Sequence, residues 1–172
     1  MPKWQGRPAV TIEPNGNEFI LHQEQFIAQP LSRVWDFFSN AENLERLTPD
    51  FLNFKILTPT PIEMGEGSLI DYRIRLFGVP MNWRTEIIHL EPPFRFVDQQ
   101  LKGPYAKWYH EHRFEEVDGG TLMTDRVEYR VPFSALGQLA HSVMVKRTLQ
   151  RIFKYRYDAV SDVFSEPAER AA

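Results

Sequence analysis

Turn-forming residues recur at short intervals over residues 53–133, and this spacing constrains the fold more than any other feature of the chain. Six turn signals built from proline, glycine and an Asp-Gly pair divide the region into strand-like segments: Pro59–Pro61, Gly65–Gly67, Gly78–Pro80, Pro92-Pro93, Gly103-Pro104 and Asp118–Gly120. Segments this close together leave no room for crossover helices, so neighbouring strands must be antiparallel. The sequence therefore predicts a six-strand antiparallel meander.

Other elements flank the meander on both sides. Residues 19–28 have the pattern of a strand, and Pro30 then begins a short helix. Asn40 is a suitable N-cap for a second short helix, which the Thr48-Pro49 pair ends. Residues 134–164 contain no proline and a single glycine, which predicts a terminal helix of about 30 residues.

The apolar face of that terminal helix changes direction along its length, which indicates a bend near residues 144–148. We expect a single domain over residues 18–165. A loose arm over residues 1–17 and a disordered tail over residues 166–172 complete the predicted organisation.

Composition excludes several classes of protein. The chain has 172 residues, 42% of them hydrophobic, and no cysteine, so disulfide frameworks, thiolate zinc sites and cysteine nucleophiles are excluded. The apolar runs are too short to cross a bilayer and no signal sequence is evident, so a cytoplasmic location is expected. A net charge of -3 gives no basic field, and we expect no nucleic acid partner.

The Asp118-Gly119 pair predicts a two-residue hairpin turn, and the turn fixes the register of the last two strands. Residues whose numbers sum to 237 then face each other. One face of this hairpin is charged and should meet solvent, with Glu111 opposite Arg126 as a complementary pair and Tyr109, Lys107, Arg113 and Glu115 beside them.

The opposite, covered face of the hairpin carries polar groups that a plain core does not need. His112 lies opposite Asp125, and His110 is two residues away on the same face. Either these groups satisfy one another and fix the register, or they border a wet pocket and anchor a ligand. An acid–base couple formed by His112 and Asp125 is a further interpretation. Their spacing is not a known zinc signature, and we expect no metal.

Aromatic residues are the second notable feature of the inward face. The chain contains 13 Phe, six Tyr and four Trp. Alternation along the strands places a set of these rings inward, where they form either ordinary core or the wall of a pocket: Tyr72, Trp83, Phe96, Trp108 and Tyr129. Asp98 faces inward beside Phe96 if the turn at Pro92-Pro93 has two residues, and Ile70, Ile74 and Leu76 share the inward face of their strand with Tyr72. The polar neighbours favour the pocket.

Two features of the terminal helix concern charge. Arg156 falls within the apolar stripe, where it needs a carboxylate, carbonyls or an anionic ligand unless it reaches past the helix edge. Lys146, Arg147, Arg151 and Lys154 form a basic stripe, which is typical of a solvated face and alternatively fits an anionic membrane surface or an acidic partner.

Two stretches of the sequence have a recognisable pattern. The first is residues 26–49, FIAQPLSRVWDFFSNAENLERLTP, and the second runs from WYHEHRF at residues 108–114 through Gly120-Thr121 and DRVEY at residues 125–129 to Pro132. Together they resemble the START-like (SRPBCC) superfamily of polyketide cyclases/dehydrases and lipid-transport proteins. The resemblance implies an α+β helix-grip fold, in which a curved antiparallel sheet of about seven strands surrounds a long C-terminal helix and leaves a cavity.

The resemblance also implies a function, the binding or transport of a small hydrophobic molecule such as a lipid, an isoprenoid or a polyketide. The residues expected to bind it are Tyr72, Trp83, Phe96, Trp108, His110, His112, Asp125, Tyr129 and Arg156. The alternatives are a cyclase- or dehydratase-type enzyme that uses His112 with Asp125, and a module that binds surfaces through its basic stripe. No cofactor is expected, and the sequence leaves the oligomeric state open.

Overall fold

An eight-stranded antiparallel sheet and a C-terminal helix make up most of the computed structural model, which describes residues 10–132, 139 and 144–165. The strands are β1 Thr11–Asn15, β2 Glu18–Ile27, β3 Lys55–Ile56, β4 Leu69–Leu76, β5 Val79–Glu91, β6 Arg95–Lys102, β7 Lys107–Val117 and β8 Gly120–Arg130. The α-helices are α1 Leu31–Phe38 and α2 Lys146–Ser165.

The strand order confirms the predicted meander. It is β1-β2-β8-β7-β6-β5-β4-β3, so β3 to β8 follow one another across the sheet and β2 closes onto β8. The hairpin register is also confirmed, because His110 pairs with Val127 and His112 pairs with Asp125. Gly119 lies in the turn with φ +83°, a conformation that glycine adopts without a steric penalty.

The first strand corrects the predicted loose arm over residues 1–17. Thr11–Asn15 pairs with β2, and Ile12 is buried in the core. Pro14 argues against a strand in the sequence, but proline is tolerated in an edge strand, where one side needs no hydrogen bonds. The sheet therefore has eight strands, one more than expected. Residues 1–9 and the predicted tail at 166–172 lie outside the described part of the chain.

The segment between α1 and β3 forms tighter turns than the second short helix that the sequence predicts. Ala41–Leu44 and Asp50–Leu52 are 3₁₀ turns. The side chain of Asn40 caps the first turn as predicted, because its Oδ1 accepts a hydrogen bond from the Glu42 amide at 3.0 Å. The backbone hydrogen bonds of this segment are of the i→i+3 type, from the Asn43 amide to the Asn40 carbonyl and from the Leu47 amide to the Leu44 carbonyl.

Helix α2 packs on the inner face of the sheet through Leu149, Phe153, Arg156 and Val160, which recur at helical spacing. The Gln25 side chain on β2 attaches the helix to the sheet, because its Nε2 donates to the Tyr157 carbonyl at 2.9 Å and contacts Ser161 Oγ at 3.0 Å. No helix of the described residues is long and apolar enough to span a membrane.

Helix α2 begins within residues 144–148, where the sequence predicts a bend, and the bend itself stays a prediction. Residues 144–145 form a π-helical turn immediately before the regular helix, and such turns are one recognised cause of helix bending. Most of the predicted first half of the terminal helix, residues 133–138 and 140–143, lies outside the described residues.

The turn between β5 and β6 is longer than the two residues assumed from the sequence. Glu91 pairs with Arg95, so the turn contains Pro92, Pro93 and Phe94. This extra residue would reverse the faces of β6, but a register shift between Ile87 and His89 restores the expected pairing of Ile87 with Asp98. Phe96 and Asp98 consequently point inward, as the alternation predicts.

The outer face of the hairpin differs from the predicted solvent-exposed pair. Glu111 is directly opposite Arg126 in register, but its carboxylate binds Arg95 Nε at 2.6 Å and Arg113 Nε at 3.1 Å. The Glu111 side chain is only 10% exposed. Arginines from the adjacent strand and from its own strand therefore cover this carboxylate, and Arg126 instead pairs with Glu128.

The Glu111 ion pairs predict an acid-dependent part of the stability. Burial opposes the charge of Glu111, but hydrogen bonds from Arg113 and Arg95 outweigh it and lower its pKa below the usual 4.5. A carboxyl whose pKa is lower in the folded state stabilises the fold above its unfolded pKa and loses this contribution as the pH falls. Glu111→Gln should lower the free energy of unfolding by about 1–2 kcal/mol at neutral pH, and this difference should shrink below pH 4.5.

Urea unfolding at pH 7 and at pH 3.5 measures this difference. The matched control is Glu115→Gln, an exposed position on the same strand, where the change should stay within about 0.5 kcal/mol at both pH values. A Glu111→Gln penalty that is equal at the two pH values contradicts the assignment.

Candidate ligand-binding site

A cavity of about 170 Å³ lies between the inner face of the sheet, the 3₁₀ turns and α2. Its wall is mainly apolar and aromatic. Strand β4 contributes Ile70, Tyr72, Ile74 and Leu76 on alternate positions, as predicted from the sequence. The side of the cavity formed by β6 and β7 is polar, and Asp98, His110 and His112 lie there. The cavity thus has the usual form of a small-molecule site, an apolar wall with a few convergent polar groups.

The aromatic part of the wall is a connected group of rings. Tyr72 stacks on Trp83 with ring centroids 5.7 Å apart, and Trp83 meets Trp108 edge to face at 5.5 Å. Tyr105 lies 4.8 Å from Trp108. Thr85 Oγ1 accepts a hydrogen bond from Trp83 Nε1 at 3.0 Å and is 3.3 Å from the Tyr72 hydroxyl, so the indole and this phenol are satisfied within the wall.

The predicted site residues divide into those that line the cavity and those that do not. The residues that line it are Tyr72, Trp83, Phe96, Trp108, His110, His112 and Arg156. Tyr129 is fully buried in a second cluster behind Tyr105 and Trp108, and it does not belong to the cavity wall. Asp125 is also behind the wall, where it contacts the polar residues that face the cavity.

A buried cluster of charged groups forms the polar end of the cavity. Asp125 Oδ1 accepts a hydrogen bond from His110 Nε2 at 2.9 Å and lies 2.9 Å from His112 Nδ1. Asp125 Oδ2 accepts from Arg156 Nε at 3.1 Å. Arg156, which lies in the apolar stripe of the terminal helix, is therefore paired with a buried carboxylate, as its position requires.

Asp98 on β6 completes this cluster from the cavity side. Its Oδ2 is 3.0 Å from His112 Nε2 and 3.7 Å from His110 Nδ1. The sequence placed Asp98 inward, but its part in the site was missed because its orientation depended on the length of the β5–β6 turn. Tyr105 was missed as well, since it lies in a loop where no periodicity indicates its direction.

The electrostatic environment shifts the pKa values of the two imidazoles in opposite directions. Burial favours neutral His112, but hydrogen bonds to Asp125 and Asp98 outweigh it and raise the His112 pKa. Burial and the neighbouring His112 lower the pKa of His110. Burial also opposes the Asp125 charge, yet Arg156 and the two imidazoles hold its pKa well below the usual value. At neutral pH Asp125 is an anion and His110 is a neutral imidazole.

The hydrogen bonds fix the tautomer of His110. Its Nε2 carries the proton that Asp125 accepts, so Nδ1 presents a lone pair towards Asp98. Nδ1 of His112 lies 2.9 Å from Asp125 and 3.3 Å from Nη2 of Arg156. The shorter contact with the carboxylate favours a proton on this nitrogen. A single carboxylate thereby orients both rings.

Solved structures of several proteins share this architecture. The Zhui aromatase/cyclase from Streptomyces sp. R1128 has a TM-score of 0.71 at 15% identity, with 90% of this chain and 99% of that chain covered. Protein Ms6760 from Mycobacterium smegmatis has a TM-score of 0.64 at 15% identity, with 92% and 98% covered. At 15% identity, these similarities show that this chain shares its fold with both proteins.

A third structure is a much longer protein, the nucleoside-diphosphate sugar epimerase from Corynebacterium glutamicum. Its TM-score is 0.61 at 26% identity, and the match covers 83% of this chain but 28% of that chain. The comparison with curated proteins finds no match to the sequence.

The sequence itself matches the family described as polyketide cyclase / dehydrase and lipid transport over residues 27–154. This range extends from the end of β2 through the whole meander and into α2, and it contains every residue of the cavity's polar end except Arg156. The chain therefore belongs to the polyketide cyclase/dehydrase and lipid transport family.

Proposed function

We propose that this protein binds a small, ring-containing apolar molecule in the cavity, with the ligand's polar end directed at Asp98 and the two imidazoles. The observation that supports this most strongly is the wall itself, in which stacked aromatic rings continue directly into a buried polar cluster. Family membership supports the coarser statement that the ligand is small and hydrophobic.

The size of the cavity argues for a ligand of one or two rings. An engineered protein cavity of about 150 Å³ accepts benzene, and the volume here is about 170 Å³. A long acyl chain or a four-ring polyketide would need the cavity to expand between α2 and the 3₁₀ turns. The cavity volume therefore favours a ligand of one or two rings over these larger molecules.

Hydrogen-bonding groups in the wall favour a ligand with a hydroxyl group. Burial raises the pKa of Tyr105, so its phenol stays neutral and its hydroxyl makes no hydrogen bond to the described residues. At the polar end, only one oxygen of Asp98 is engaged within the part of the chain described. The other Asp98 oxygen is placed to accept a hydrogen bond from a ligand hydroxyl group. The negative charge of Asp98 disfavours ligands that carry a carboxylate or a phosphate.

Arg156 has a different part in this proposal from the one the sequence suggested. Its Nε and Nη2 atoms are engaged with Asp125. We assign it to positioning Asp125, which in turn orients His110 and His112. Asp125 contributes in the same indirect way, and Tyr129 contributes only as packing behind the aromatic wall.

An enzymatic role remains the second candidate. In the predicted form, His112 and Asp125 exchange protons with a substrate, but both nitrogens of His112 already face carboxylates. His110 is better placed for such chemistry, since its Nδ1 is free of hydrogen bonds within the described residues and Asp125 holds its other nitrogen. A cyclase or dehydratase of this kind would use neutral His110 as a general base.

The basic stripe on α2 supports a third and weaker proposal. Arg147, Arg151 and Lys154 are exposed, and the Arg151 guanidinium lies 4.4 Å above the ring of Phe51 at the 3₁₀ turns. An anionic membrane surface would fit this combination of charge and aromatic ring. The cytoplasmic location predicted from the sequence stays a prediction.

Binding of two-ring ligands tests the main proposal. Naphthalene, 2-naphthol and oleate should be titrated into the purified protein by calorimetry and followed through intrinsic tryptophan fluorescence. We expect 2-naphthol to bind best, because it combines two rings with one hydroxyl group. Ile152→Trp, which fills the cavity from α2, should weaken binding at least about tenfold, equivalent to about 1.4 kcal/mol.

The matched control for this experiment is Leu101→Trp, because Leu101 is 51% exposed and outside the cavity wall. It adds the same ring without filling the cavity and should leave binding unchanged. If none of the three compounds binds, or if Ile152→Trp binds 2-naphthol as the unaltered protein does, the proposed site is wrong.

A further inference from the structure

We infer that Asp98, His110 and His112 form a binding site for a divalent transition-metal ion at the polar end of the cavity. The ligand atoms of these three residues all lie within 4.8 Å of one another. Imidazole nitrogens and a carboxylate oxygen are ligands that zinc and neighbouring first-row metals prefer. This inference goes beyond ligand binding, because the protein without metal would still have its apolar cavity.

Two of the three distances between the ligand atoms are close to those of tetrahedral coordination. Ligand atoms about 2.0–2.1 Å from a zinc ion stand about 3.3 Å apart. The Asp98 Oδ2 atom is 3.0 Å from His112 Nε2 and 3.7 Å from His110 Nδ1. Small side-chain rotations are enough to bring these two distances to the required value.

The orientation of His110 is a second, independent observation. Its side chain is 9% exposed, and its Nδ1 makes no hydrogen bond to the described residues. Since Nε2 donates to Asp125, Nδ1 carries a lone pair that faces a carboxylate oxygen of Asp98. Two acceptors that face each other repel, and a cation between them removes the repulsion.

Asp125 has the position of an outer-shell carboxylate for both imidazoles. Histidines that bind metals nearly always donate their second nitrogen to a carboxylate, a carbonyl or water, which fixes the tautomer and orients the ring. Here one oxygen of Asp125 lies 2.9 Å from the second nitrogen of each histidine. Both rings are therefore held with their remaining nitrogens directed towards Asp98.

The charge of the cluster is also suited to a cation. With neutral imidazoles, the carboxylates of Asp98 and Asp125 and the guanidinium of Arg156 leave one net negative charge in a buried place. A divalent ion would balance this charge, and its fourth coordination position would face the cavity, where water or a ligand oxygen would occupy it.

Cobalt is a suitable probe because its visible absorption reports the coordination geometry. Protein without an affinity tag, stripped of metal by a chelator, should bind one equivalent of Co²⁺ with bands typical of nitrogen and oxygen ligands, and Zn²⁺ should displace it. Asp98→Asn should weaken Co²⁺ binding at least about tenfold, because the loss of even an outer-shell partner costs about 10–100-fold in metal affinity. The matched control is the His22→Ala/His89→Ala double variant, which removes imidazoles outside the site and should bind as the unaltered protein does.

A measurement on the unaltered protein makes the test independent of variant folding. Long-range ¹H–¹⁵N spectra of the imidazoles should show Zn²⁺ shifting Nδ1 of one histidine and Nε2 of another. The inference is overturned if neither metal binds stoichiometrically. It is also overturned if Asp98→Asn binds Co²⁺ unchanged, or if the control variant loses the binding, which would mark an adventitious surface ion only.

Discussion

The buried carboxylate of Asp125 is the group on which the rest of the site depends. It is 4% exposed, and it contacts two imidazoles from β7 and one guanidinium from α2. A buried charge without partners costs several kcal/mol, and it is tolerated when hydrogen bonds and an opposite charge satisfy it. Sheet and terminal helix are therefore joined by a polar contact as well as by apolar packing.

This contact determines what the cavity presents to a ligand. Because Asp125 accepts a hydrogen bond from His110 and lies 2.9 Å from Nδ1 of His112, the two rings turn their other nitrogens towards Asp98 and the cavity. Arg156 neutralises Asp125 through its Nε and Nη2 atoms. The polar end of the cavity consequently offers acceptor atoms, which favours hydroxyl-bearing ligands and, by our inference, a metal ion.

The apolar part of the interior consists of a closely packed core and the wall of the cavity. Trp35 on α1 packs edge to face against Phe96 and Phe114, with centroids 6.0 and 5.8 Å away. On the other side of Phe96 the ring of His112 stacks at 4.1 Å. Phe96 thus connects the packed core beneath α1 with the polar end of the cavity.

Much of this arrangement could be predicted from the sequence because it depends on local signals. The Asp118-Gly119 turn fixes the register, the register puts His110, His112 and Asp125 on one face, and helical spacing puts Arg156 in the buried stripe. Each of these inferences needs only a turn type and a period of 2 or 3.6 residues.

Other features depend on the tertiary structure and could not be predicted in this way. The register shift between Ile87 and His89 compensates for the longer β5–β6 turn. The inward direction of Asp98 therefore depends on a shift that strand alternation does not predict. Glu111 is buried by arginines from β6 and β7 rather than by its cross-strand neighbour. Tyr129 shares the inward face of the sheet with the site, but other rings separate it from the cavity.

A double-mutant cycle between Asp125 and Arg156 tests the central claim most directly. The free energy of unfolding is measured for the unaltered protein, Asp125→Asn, Arg156→Met and the double variant. If this ion pair joins helix to sheet as described, the coupling energy should be about 2–3 kcal/mol, the upper part of the range for residues in contact. Additive effects, with a coupling within about 0.5 kcal/mol of zero, would contradict the account.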